Sequence, residues 1–159
     1  MTKIKIWGWD KKPRTMLRFI KPGDIFCFQF NEQTYCFGRI IAKIMTGHVA
    51  EIFDYISSEP HINEQGIEQS SRLIDLLILD SYGLFDRKIE GEWRIIGHQE
   101  EYIPKDVDNV YFTFGIDIWC KIIDIWGNEK SISASERSYY PVLSPRGDWY
   151  IKEIVASKI

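Results

Sequence analysis

The chain has 159 residues, 45% of them hydrophobic and 27% charged; these are the proportions of one folded domain over residues 1–159, not of a disordered or fibrous protein. At about that length a single core buries roughly two thirds of the unfolded surface, so folding needs neither a metal nor a disulfide. Net charge is −3, but residues 1–23 carry Lys3, Lys5, Lys11, Lys12, Arg14, Arg18 and Lys21 against Asp10, a net +6, which leaves the other 136 residues at −9. A body of that sign repels nucleic-acid phosphates and attracts basic proteins. The basic stretch reads as a solvated face.

Lys3 to Trp9 alternates polar and apolar residues, which predicts a strand. The stretch is too interrupted by charge to be a secretion signal. No apolar run reaches the roughly 20 residues of a membrane-spanning helix, so the expectation is a cytoplasmic chain without membrane or direct nucleic-acid partners. Pro13 interrupts any helix nearby. Lys21-Pro22-Gly23-Asp24 is a turn. Ile25–Phe30 and Tyr35–Ile44 form a hairpin around the polar Asn31-Glu32-Gln33. Gly38, inside the second of these strands, marks a bulge or the close approach of another group. Thr46-Gly47 turns the chain into a third strand, Val49–Ile56.

Residues 57–71 are polar and turn-rich and read as a surface loop. Leu73–Leu79 suits a buried strand or a short helix, and we read strand. Short strands follow at 92–97 and 110–114. The apolar run 116–126 reads as a central strand, with Gly127-Asn128 as a two-residue hairpin turn and 130–133 as its return. Asp148 has the chemistry of a helix N-cap, and Tyr150, Ile151, Ile154 and Val155 follow at helical spacing, predicting a helix over 149–157. The fold class is α+β: a mainly antiparallel twisted sheet, with barrel-like closure as one option, and a C-terminal helix.

Chemistry is hard to find along this chain. Nucleophile-elbow, phosphate-loop, metalloprotease and dinucleotide patterns are absent. His48, His61 and His98 are dispersed, with no ligand spacing that calls for a metal. No cofactor is expected. Cys27, Cys36 and Cys120 sit in apolar contexts that favour buried, inert thiols. Cys27 and Cys36 fall on neighbouring strands, which leaves a bridge open. Carboxylates such as Glu51, Asp54, Asp75 and Asp80 are not singled out by spacing as an acid–base pair. His98 to Asn109 is different. Glu100, Glu101, Asp106 and Asp108 surround Tyr102 there, an acidic loop with an aromatic anchor that suits a basic protein partner.

Lys21-Pro22-Gly23-Asp24-Ile25-Phe26-Cys27-Phe28 followed by Tyr35-Cys36-Phe37-Gly38-Arg39-Ile40 resembles the opening of the immunity protein 26 family of bacterial polymorphic toxin and contact-dependent inhibition systems. Glu51-Ile52-Phe53-Asp54 and Gly91-Glu92-Trp93-Arg94-Ile95-Ile96-Gly97 continue the likeness, in order, across residues 21–97. The resemblance implies a non-enzymatic protein whose partner is a cognate toxin C-terminal domain. Such toxins are often nucleases with basic clefts, which an acidic body would complement. Pro22, Gly23, Asp24, Gly38, Arg39 and Trp93 then read as determinants of the fold, Arg39 pairing with a strand carboxylate. A proline-glycine-aspartate opening also looks like that of the small-barrel endoribonuclease toxins, but an acidic body is poorly suited to RNA. A β-rich interaction domain without a toxin partner is the third reading.

Overall fold

A computed structural model describes residues 3–11 and 19–159; the expectations on Lys12, Pro13, Arg14 and Arg18 lie outside them. The centre is a meander of three long antiparallel strands, β2 (Asp24–Asn31), β3 (Thr34–Ile44) and β4 (Gly47–Ser57). β1 (Ile4–Ile6), β5 (Leu77–Leu79) and β6 (Trp93–Gln99) extend it to six strands in the order β1-β6-β2-β3-β4-β5. β7 (Phe112–Phe114), β8 (Lys121–Ile123) and β9 (Glu129–Ser131) make a separate three-stranded sheet. Among the described residues every pair of these strands is antiparallel. The large sheet ends at β1 and β5 and is not closed into a barrel.

Unbroken apolar runs such as Ile25-Phe26-Cys27-Phe28 form strands buried on both faces. Phe26, Phe28, Cys36, Ile40, Ala50 and Ile52 point to one side, against Leu84 and Phe85 of α2 (Ser81–Phe85) and Ile151 and Val155 of α3 (Asp148–Ala156). On the other side, Ile25, Cys27, Phe37 and Phe53 pack with Ile62 and with Ile67 of α1 (Glu64–Gln69). Further along that side, Ile41, Val49 and Ile78 meet Phe112 and Ile123 of the small sheet. Trp93 links the layers. Its ring stacks 4.0 Å from Phe28, and its indole N–H donates to Asp148 Oδ1 at 2.7 Å.

Several expectations change in detail. The polar stretch 57–71 contains α1, whose first turn is capped by Asn63 accepting from the Gly66 amide at 2.8 Å. Asp148 is the first helical residue, not the cap; its carboxylate is taken by Trp93 and by Lys152 at 3.0 Å. The central strand expected over 116–126 is absent. Gly115 (φ 84°) and Asp117 (φ 54°) are left-handed, which breaks the extended backbone. Asp117–Trp119 forms a 3-10 turn before the short β8. The turn after β8 spans five residues, 124–128, rather than two, because Asp124 Oδ1 accepts from the Trp126 and Asn128 amides at 2.9 Å each.

The three cysteines are free and buried. Cys27 pairs in register with Phe37, and Cys36 with Phe28, so the two thiols enter opposite core layers and cannot bridge. Burial pushes the Cys36 thiol up to about 12 and the Cys27 thiol higher still.

Candidate functional site

Between α1 and the small sheet, the sheet face carries charge in place of aliphatic side chains. Strand alternation places Arg39 between Phe37 and Ile41, and Glu51 between Val49 and Phe53, directly paired across β3 and β4. Glu51 is 6% exposed, and a carboxylate at that depth persists only if it is paired and hydrogen-bonded. Arg39 Nε donates to Oε2 at 2.8 Å, and Arg72 Nε to Oε1 at 3.0 Å. Arg39 Nη1 donates to Gln99 Oε1 at 2.6 Å, and its guanidinium lies 4.6 Å from the Tyr102 ring centroid. Arg72 Nη1 donates to the Asp106 carbonyl at 2.8 Å, and Nη2 to that of Lys105. These side chains line a cleft of about 820 Å³. Burial, with the Glu51 carboxylate second, raises the Tyr102 phenol above its ordinary value.

Gly38, next to Arg39, lets β3 lie close to β4 and to the Phe26 ring on the opposite face. A Cβ there would stand 2.3 Å from the Glu51 carbonyl oxygen and 2.4 Å from Phe26 Cζ. The strand register also shifts between Cys36 and Gly38. Gly23, at φ 96°, sits against the same cleft, because its Cβ would meet the Gln99 carbonyl at 2.5 Å and Tyr102 Cβ at 3.2 Å. Beside it, buried Asp24 accepts from the Lys21 amide at 3.1 Å and contacts His98 Nδ1 at 2.8 Å. Burial raises the Asp24 carboxyl against those stabilising contacts. Pro22 is exposed at the turn.

Arg39, Tyr102 and Asp106 therefore converge on the cleft, with Gly23 against Gln99 and Tyr102 beside it, whereas Gly38 and Trp93 face the layer of Phe26 on the opposite side of the sheet. Tyr102 is not an exposed anchor: it is half-buried beneath Arg39. Glu100, Glu101, Asp106 and Asp108 are exposed, Glu100 facing Lys5 at 3.6 Å. The large apolar side chain that this loop does expose is Ile103, at 74%. Ile116, Ile118, Trp119 and Trp126 are exposed as well. Their run of apolar letters imitates a buried strand, and the signal against one was Gly115 followed by Asp117.

His48 Nδ1 lies 2.6 Å from Ser81 Oγ, but both residues are buried, and His48 Nε2 faces the Ile20 carbonyl at 3.2 Å rather than an orienting carboxylate. The pair reads as core hydrogen bonding. Among the described residues, no group of three His, Cys, Asp or Glu side chains is placed to hold a metal, and no helix is long and apolar enough to cross a membrane.

The family model described as Immunity protein 26 matches residues 21–121, well over half of the chain. The chain belongs to the immunity protein 26 family. Its role is that of an immunity protein acting against a toxin, and its partner is that cognate toxin. The matched span contains every residue of the Arg39–Glu51–Arg72 cluster and the acidic loop, while β9 and α3 lie beyond it. No curated protein and no solved structure matches the chain.

Proposed function

We propose that this immunity protein neutralises a nuclease in the cytoplasm of the producing cell by binding it directly and covering its substrate cleft, without catalysis of its own. The observation that carries this reading is the 100–108 loop. Four exposed carboxylates, Glu100, Glu101, Asp106 and Asp108, surround the exposed Ile103 and outnumber the one exposed cation of the loop, Lys105. A cleft built for phosphates is basic, and these carboxylates take the place of phosphates within it. Long-range attraction speeds encounter, and a buried apolar side chain supplies contact energy. Tyr102 serves the interface from beneath, as part of the loop's support.

The test compares association and dissociation rates for the cognate toxin domain, at low and high salt. Each exposed charge contributes little, on the order of 0–1 kcal/mol, so one change has a mild effect. Reversing Glu100, Glu101, Asp106 and Asp108 to lysine slows association and flattens its salt dependence. Unchanged rates at both salt concentrations would place the interface elsewhere, with the Ile116–Trp119 turn and the Glu59, Glu64 and Glu68 side of the 57–71 segment the next surfaces to test.

A further inference from the structure

We propose that Glu51 is a positioning residue for the toxin-binding loop: through Arg39 and Arg72 it holds both ends of the 99–106 segment in its binding conformation. This inference rests on the reading that the loop contacts the toxin. Glu51 belongs to the central strand β4, and each of its carboxylate oxygens takes one arginine. Neither arginine stops there. Arg39 continues to Gln99 and lies over Tyr102, at the start of the segment. Arg72 continues to the main-chain carbonyls of Lys105 and Asp106, at its end. One buried carboxylate thus fixes two planar forks, and each fork fixes one end of the loop. A guanidinium suits this task because its donors are held in a rigid plane.

The segment has reason to need such holding. Between the end of β6 and the start of β7 it forms no helix or strand. Glu101 (φ 54°) and Asp106 (φ 56°) are both left-handed, a region uncommon for residues other than glycine. Strained backbone persists when its surroundings over-determine it, and it clusters at binding sites. Both strained residues are carboxylates of the proposed interface, so their conformation sets where the charges stand. The Glu100 amide bonded to the Lys3 carbonyl at 2.8 Å and the buried Val107 add anchorage of their own. Loss of the clamp therefore loosens the segment between them without detaching it.

The experiment uses the full chain with Glu51→Gln and, separately, Arg72→Gln. Arg72→Gln leaves the Arg39–Glu51 pair in place, so it carries the test if Glu51→Gln does not fold. Each folded variant is digested by a glutamate-specific protease at Glu100 and Glu101 and by trypsin at Lys105, and is titrated against the purified toxin domain. The expected result is cleavage in the loop at least tenfold faster, toxin affinity at least tenfold weaker, and retained cooperative unfolding. Arg72→Lys restores charge without the fork and is expected not to rescue either readout. Unchanged cleavage would overturn the clamp. Faster cleavage with unchanged affinity would overturn the positioning role, provided that the fourfold lysine reversal weakens binding. If that reversal also leaves affinity unchanged, the loop is not the interface, and both readings fall.

Discussion

Adding a methyl group at Gly38 tests the packing beneath the charged cluster. The new Cβ would lie 2.3 Å from the Glu51 carbonyl oxygen and 2.4 Å from Phe26 Cζ, each about 1 Å inside ordinary contact. Neither neighbour can swing away. The carbonyl belongs to β4 within the sheet, and the Phe26 ring is fully buried between Trp93, at 5.7 Å, and Phe85, at 5.9 Å. Overpacking a rigid core costs about 1–3 kcal/mol, and the stiffer unfolded chain returns roughly 0.4–1 kcal/mol when alanine replaces glycine. Gly38→Ala should therefore lose about 1–1.5 kcal/mol, and Gly38→Val, with two further methyls, about 3 kcal/mol. At this chain length about 1–1.5 kcal/mol corresponds to a fall of roughly 3–5 °C in Tm. Urea titration with a shared m-value gives the free energy, and a thermal melt checks it. A Gly38→Ala protein within about 0.5 kcal/mol of the parent would show that the close approach has no energetic weight.

Burial lowers the His48 pKa below its ordinary 6.5. Its contribution to stability is complete above about that pH and declines as pH falls below it, where the unfolded chain takes up the proton first. Urea midpoints measured from pH 7.5 to 5 should fall less for His48→Gln than for the parent, and parallel slopes would contradict this. Trp93→Phe removes the indole donor to Asp148 and should cost about 1.5–3 kcal/mol, as for a hydrogen bond to a charged group; a midpoint equal to the parent's would mean that α3 is not tethered there. Cys27, Cys36 and Cys120 should react with an aromatic disulfide reagent only after unfolding, and rapid modification of the native protein would show that a thiol is accessible. The purified chain should cleave neither RNA nor DNA, and cleavage abolished by a single carboxylate or histidine change would revive the endoribonuclease reading.

The β2–β3–β4 meander was legible because aromatic and β-branched runs punctuated by Pro22-Gly23 and Gly47 have few other solutions. The C-terminal helix was legible from its spacing. The 116–126 segment was not, because periodicity reports side-chain character while Gly115 and Asp117 decide the backbone. α1 was hidden in a polar stretch in which Ile67 is its buried residue. Of the charged cluster, Arg39 stood out as a motif residue expected to pair with a strand carboxylate, and Glu51 opened a second family-like piece, but no spacing joined the two. Arg72 lies 21 residues from Glu51 in sequence and 33 from Lys105, so their meeting is a product of the tertiary fold. Tyr102 misled for a related reason: flanking carboxylates suggest exposure, whereas Arg39 draws the ring inward.

The most direct measurement of direct neutralisation is a titration of the cognate toxin domain's activity with this purified protein. Direct neutralisation predicts that toxin activity falls linearly with added protein and reaches zero at a fixed stoichiometric ratio, while an unrelated toxin is unaffected. Full toxin activity in the presence of excess protein would contradict it.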